Sequence, residues 1–140
     1  MGDAPAGFDM SRGLDALLGV QWEEMSPTRV RSRLVIDERH LQPYGIVHGG
    51  VYAAVAESAA SIGAALSAQT FDPANGAVGL ENHTTFLRAV GPGTEVVIEA
   101  TPLHAGRRTQ AWQVSVREAS SGRELATSRV RLMVVRPDTI

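Results

Sequence analysis

The sequence predicts a single α+β domain in which one antiparallel β-sheet wraps a long central helix. Three observations carry this. The chain has 140 residues, the length of one domain and enough to bury about two-thirds of its unfolded surface. The stretch from Gly49 to about Gln69 is rich in alanine, the best helix former, and apolar on nearly every side, as a buried helix is. Four β-type segments then follow, separated by turn signals.

In chain order, residues 1–11 are small and acidic and are expected to form a flexible tail ahead of a domain spanning 12–140. Leu14, Leu17 and Leu18 predict one or two helical turns, which Gly19 can end. Val20 to Met25 and Thr28 to Asp37 read as strands broken at Ser26-Pro27; polarity alternates from Arg29 to Arg33, as in a half-buried strand. Pro43-Tyr44-Gly45 is a turn, and the long helix begins at Gly49. Asp72-Pro73 and Asn75-Gly76 make Phe71 to Gly76 a loop. The remaining strands are expected at Val78 to Ala89, Thr94 to His104, Arg108 to Glu118 and Glu124 to Val135. Their breaks, Gly91-Pro92-Gly93, Ala105-Gly106 and Ser120-Ser121-Gly122, read as hairpins, so the C-terminal half is expected to be an antiparallel meander.

Composition excludes several classes of function. Net charge is −2, so no global basic field favours nucleic acid. With no cysteine there is no disulfide, cysteine nucleophile or thiolate metal site. All 13 basic residues are arginine, which removes Schiff-base lysines and Walker-type lysines. No carboxylate and histidine spacing resembles His-Glu-x-x-His, so no metal and no cofactor are expected. There is no Gly-x-Ser-x-Gly elbow. Met1 to Phe8 lacks the charged region and apolar run of a signal peptide. Gly49 to Ala68 is Ala-rich rather than Leu-rich and carries Glu57, which argues against a membrane span. The expected location is cytoplasmic.

One segment stands out. Gln42-Pro43-Tyr44-Gly45-Ile46-Val47-His48-Gly49-Gly50 leads into the long helix. Glycines there allow close approach to the backbone. The first N–H groups of a helix lack internal partners and sit at the positive end of the dipole. Such groups can bind a developing oxyanion. Glu57, two turns on, is the only charge between Gly49 and Gly63. A lone carboxylate on such a helix is paired, exposed or retained for chemistry. Ser61 lies one turn further on the same face. Each has a plainer reading alone: a tight helix start, a local histidine cap, a solvent-facing glutamate, a small packing serine. Their combination points to hydrolysis. Eight residues of helix span about 12 Å, whereas reacting groups must meet within about 3–3.5 Å. If Gly49 and Glu57 both act on one carbonyl, they come from two chains, and the site lies at a dimer interface.

Gly45-Ile46-Val47-His48-Gly49-Gly50-Val51 followed by Glu57-Ser58 resembles the hotdog-fold acyl-CoA thioesterases of the PaaI type. Mechanistically it is similar to the 4-hydroxybenzoyl-CoA thioesterases that use a helix glutamate. The resemblance runs from about Leu14 to Val135. It implies a single hotdog domain, dimers with two shared sites and their pairing into homotetramers. It implies that the Gly49 N–H receives the thioester oxygen, with His48 ordering the loop and Gln42 helping to position the thioester. Glu57 of the partner chain would be nucleophile or general base, and Ser61, where that subfamily has Thr, would hold the water. Arg107 and Arg108, after the Ala105-Gly106 turn, are candidates for CoA phosphates, since arginine suits bidentate phosphate contacts; Arg88 and Arg123 are lesser ones. Asn82 and His83 are expected beside the helix, lining the acyl pocket. The substrate would be an aryl-, arylacetyl- or medium-chain acyl-CoA. Two alternatives stand beside this: a non-catalytic acyl-CoA-binding module, and a hydratase or dehydratase of the same fold. For the hydratases, position 43 is Pro where they pair an Asp with a His five residues later.

Overall fold

The structure, a computed structural model, describes residues 2–140. A short helix α1 (Leu14–Leu18) leads into strands β1 (Gln21–Met25) and β2 (Val30–Val35). A 3-10 turn (Glu38–His40) and an irregular loop then reach α2 (Gly49–Gln69), which is followed by β3 (Gly76–Phe86), β4 (Glu95–Ala105), β5 (Thr109–Glu118) and β6 (Glu124–Val135). All six strands join one antiparallel sheet in the order β1-β2-β4-β5-β6-β3. The expected single hotdog domain is borne out: one long helix packed into one curled sheet.

The inner face of the sheet follows strand alternation. Val30 and Leu34, Val96 and Ile98, Trp112 and Val114, and Val130 and Leu132 all point inward and are buried against α2. The helix meets them with Ala56, Ala59, Ala60 and Ala64, small enough for the sheet to close in. At Gly63 even a methyl group would overlap the Trp112 ring. By length and composition α2 could cross a membrane, but it is the buried core helix of this sheet.

One expectation is corrected. Gly91-Pro92-Gly93 does not turn a hairpin. β3 pairs with β6 at one edge of the sheet, while β4 lies three positions away, beside β2. Only β4, β5 and β6 form the meander. The linking segment finds its hydrogen bonds elsewhere: Leu87 and Arg88 donate to the Leu125 carbonyl, the Val90 carbonyl receives the Val47 N–H, and Gly93 donates to Ile36. A Gly-Pro-Gly run codes for a turn, and whether the flanking strands pair is decided by which neighbours the curled sheet offers. Smaller differences lie at strand ends: β2 stops at Val35 and β3 at Phe86, each earlier than expected.

The sheet leaves one side of α2 open. Gly50, Ala53, Ala54, Glu57, Ser58 and Ser61 recur every three or four residues and are not buried. The N-terminal segment lies along the distal part of that side. Ala6 exchanges hydrogen bonds with the Gln69 amide (3.2 and 3.3 Å), Pro5 is buried, and Asp15 accepts from the Ser58 hydroxyl at 2.6 Å.

Candidate active site

The loop before α2 is organised by His40, a residue that reasoning from sequence passed over. It is fully buried. Its Nδ1 accepts from the Asp37 N–H (2.9 Å), so its Nε2 carries the proton that is donated to the Leu18 carbonyl (2.8 Å). Its own carbonyl receives the His48 N–H at 2.8 Å. Through its ring and its own carbonyl, one buried histidine thus joins α1, the 3-10 turn and the start of α2. The readable signal was Asp37 three residues ahead of His40, the spacing of a capping box.

His48 is the N-cap of α2. Its Nδ1 accepts from the Gly50 N–H at 2.8 Å, so the neutral ring carries its proton on the outward Nε2. The Val51 N–H bonds to the His48 carbonyl at 2.9 Å. The Gly49 N–H has no hydrogen-bond partner among the described residues. It sits at the positive end of a 21-residue helix, on a cavity of about 290 Å³ lined by Gln42, Gly49, Tyr52, Phe86 and Arg88, among others. A Cβ there would stand 2.6 Å from the Phe86 ring, so any larger residue would require that ring to shift. Gln42 is anchored through its Oε1, which accepts from the Tyr44 N–H, leaving its amide nitrogen to donate. Burial, and behind it the charge of Glu118, pushes the Tyr52 phenol up to about 12, so it stays a neutral donor, to the Arg88 carbonyl at 3.3 Å.

Glu57 occupies the open side of α2. β3 supplies its wall. The Asn82 amide donates to the Ala53 carbonyl at 2.9 Å and reaches Glu57 Oε1 at 3.4 Å. Asn82 is held in turn by Thr84, whose hydroxyl donates to its Oδ1 at 2.6 Å and lies 2.7 Å from the Ser128 hydroxyl. Gly79 lies flat against the carboxylate; a Cβ there would stand 3.2 Å from Oε2. Ser61 shares with Glu57 a second cavity of about 170 Å³, walled on the far side by Phe8, Met10, Arg12 and Asp15.

The expected residues therefore fall into five places. Gln42, Gly49 and Arg88 meet at the start of α2, with His48 capping it; Glu57, Ser61 and Asn82 meet two turns along. The cavity that holds Gly49 and the cavity that holds Glu57 are separate. His83 points the other way from Asn82, as neighbours on a strand do, into a groove on the outer sheet face with Glu81, Thr85 and Arg129. Arg107 stacks over Phe71 (5.1 Å) just past the far end of α2, and Arg108 follows it in the same turn. Within one chain that turn lies about a helix length, roughly 30 Å, from Gly49. Arg123 is exposed in the turn between β5 and β6. Among the described residues no three His, Cys, Asp or Glu side chains gather as a metal site would need.

Residues 44–125 match the family described as the thioesterase superfamily. The chain is 38% identical over 130 residues to Rv1847 of Mycobacterium tuberculosis, covering 93% of this chain and 91% of that one. The solved structure of that protein superposes with a TM-score of 0.80 over 87% of this chain and 95% of that one. The proofreading thioesterase EntH of Klebsiella pneumoniae is 32% identical over 120 residues (86% and 84% of the two chains). The 1,4-dihydroxy-2-naphthoyl-CoA thioesterase 2 of Arabidopsis thaliana is 35% identical over 122 residues (83% and 75%). This chain belongs to the thioesterase superfamily. It is a hotdog enzyme of the thioester-hydrolase class.

Proposed function

We propose that this protein hydrolyses an acyl-CoA thioester to the free acid and CoA at a site shared by two copies of the chain. The observation that carries the reading is the unpaired Gly49 N–H at the head of α2, open to a cavity, in a chain whose one open helix side also bears Glu57. The thioester oxygen of the substrate accepts from the Gly49 N–H. As the carbonyl carbon becomes tetrahedral, negative charge grows on that oxygen, and the helix dipole and the N–H stabilise it without reorganising. The Gln42 amide and the His48 Nε2–H are further donors at the same helix end.

Glu57 of the partner chain acts at the carbonyl carbon. As general base it takes a proton from a water held with Ser61; hydroxide adds, the C–S bond breaks, and the thiolate leaves and takes up the proton. As nucleophile it forms a mixed anhydride and releases CoA, after which water cleaves the anhydride. Single turnover in heavy-oxygen water separates the two: only the anhydride route can leave label in Glu57. The about 12 Å between Gly49 and Glu57 within one helix supports the two-chain arrangement. So does β3, an edge strand of 11 residues with one side unpaired and Leu80 and Phe86 exposed. Such an edge is a template for a second chain. Pairing of dimers into tetramers, a role for Arg107 and Arg108 on CoA phosphates of the partner's substrate, and a cytoplasmic location complete the reading.

The test is CoA thiol release, read with a thiol-reactive dye, across aryl-, arylacetyl- and fatty acyl-CoA. The protein has no cysteine to contribute background. Glu57→Ala should lower kcat by about 10²–10⁴-fold, the usual worth of a positioned base, with CoA binding retained. Wild-type turnover by Glu57→Ala would sink the mechanism.

A further inference from the structure

The Gly49 N–H is useful as a donor only where the backbone aims it. The peptide unit is planar, so that aim is set by the backbone angles of His48. His48 is held at φ −71° and ψ 130° from both sides. Its Nδ1 receives the Gly50 N–H at 2.8 Å, and its own N–H donates to the His40 carbonyl at 2.8 Å. The first tether is local. The second reaches back across a loop that carries a left-handed glycine, Gly45 (φ 81°). It is the last backbone link before the Gly49 donor, so the donor is as fixed as His40 is.

His40 has no freedom left. It is 0% exposed, and every polar atom it has is engaged. Its N–H donates to the Asp37 carbonyl at 3.0 Å and its carbonyl accepts from His48. Nδ1 accepts from the Asp37 N–H at 2.9 Å, and Nε2 donates to the Leu18 carbonyl at 2.8 Å. The Asp37 carboxylate, 3.3 Å from Nδ1, is taken up by the Arg39 N–H and guanidinium, and Arg39 also donates to the Leu17 carbonyl at 2.6 Å. Displacing a buried residue bonded on every side leaves desolvated groups unpaired. The His40 carbonyl is therefore a fixed point for the head of α2.

Resting on the thioesterase reading, we propose that His40 is a positioning residue for the reaction: by holding the His48 N–H it aims the Gly49 N–H at the thioester oxygen. His40 lines neither the Gly49 cavity nor the Glu57 cavity, so it acts through His48 alone. No neighbouring amide replaces a misdirected Gly49, because the Gly50 N–H is committed to the His48 ring and the Val51 N–H to the His48 carbonyl. The effect belongs to the transition state, where charge on the oxygen is largest.

The experiment measures thioester hydrolysis by the full chain with His40→Gln and His40→Asn, each alone and in a Gly49→Ala background. The Gln amide still reaches the Leu18 carbonyl, and the Asn oxygen still accepts from Asp37, so each variant keeps one of the two ring bonds. Denaturant unfolding checks that both fold, and either one suffices. Each should lower kcat about ten- to a hundredfold, as a misplacement of about 1 Å does, with KM within about threefold of wild type. In the Gly49→Ala background the same change should cost less than about threefold more, because the donor it aims is already displaced. A merely structural loss would add in full in both backgrounds. An unchanged kcat, a loss carried by KM, or a full further loss beside Gly49→Ala overturns the assignment. Magnetic resonance of enzyme labelled at the glycine nitrogens reads the tether without chemistry. The Gly49 signal, identified by its absence in Gly49→Ala, should move in both His40 variants while that of Gly106, past the far end of α2, stays. That movement in a protein that hydrolyses no acyl-CoA would overturn the hydrolytic reading and uphold the tether; an unmoved Gly49 signal would overturn the tether whatever the turnover.

Discussion

Glycine at position 49 does two jobs, and they can be separated. Its N–H is unpaired at the head of α2, and its missing side chain makes room for Phe86. Gly49→Ala should therefore cost about 1–3 kcal/mol of stability, as overpacking does, and lower kcat at least about tenfold by displacing the donor. Denaturant unfolding and steady-state kinetics on the same preparation check this, and an unchanged kcat would remove the Gly49 N–H from the mechanism. Asp15 gives a pH-dependent prediction. Burial raises its carboxyl, with the Ser58 hydrogen bond opposing, so folding costs more with the group ionised than with it protonated. The stability it contributes is full below the unfolded value, about 3.9, and is lost as pH rises through the folded value. Asp9, Arg12, Ser58 and Glu57 face the same cavity and are common to both proteins in the comparison. Asp15→Asn, neutral throughout, should gain in Tm relative to wild type as pH rises from about 3 to 7. A difference flat across that range would contradict the burial argument.

At the scale of elements, α2 is held by what its partners lack. Small residues let the sheet approach, and Gly63 makes room for the six-membered ring of Trp112. The indole N–H donates to Gln110 Oε1 at 2.8 Å, and Gln110 reaches Ser67 Oγ at 3.2 Å. Trp112→Ala should destabilise by about 3–5 kcal/mol, because it opens a cavity and strips a buried amide oxygen of its donor; a loss under about 1 kcal/mol would mean the helix repacks freely. The elements also explain which strands were readable. β5 and β6 alternate cleanly and are found almost where expected. β3 was readable as a strand but not as an edge strand, because pairing depends on which strands lie beside it. His83 and Asn82 adjoin in sequence, yet strand alternation sends them to opposite faces, and the choice of face follows from the bulge between Gly79 and Glu81.

At the scale of the whole molecule, the proposed site, shared between Gly49 of one chain and Glu57 of another, would make association part of the chemistry. Mixing Glu57→Ala chains with Gly49→Ala chains should restore activity in hybrid dimers, where one of the two sites is intact. With equal mixing, half the dimers are hybrids, so recovery approaches about a quarter of wild type for a symmetric pair. No recovery in verified hybrids would place both groups of a working site in one chain.

The long apolar helix, the four strands after it, and the cluster Gln42, His48, Gly49, Glu57 and Ser61 were all present in the sequence. Each is local: helix propensity, alternation and the spacing of residues along one helix need no knowledge of distant neighbours. The 12 Å argument was local too, since the rise of a helix is constant. Tertiary structure decided the rest. It turned an expected hairpin into a crossing between β3 and β4, gave buried His40 the task of joining three elements, and laid residues 6–15 along the open side of α2. The reason is the same in each case. Sequence spacing specifies what an element can present, but which partner it meets depends on how one curled sheet closes around one helix.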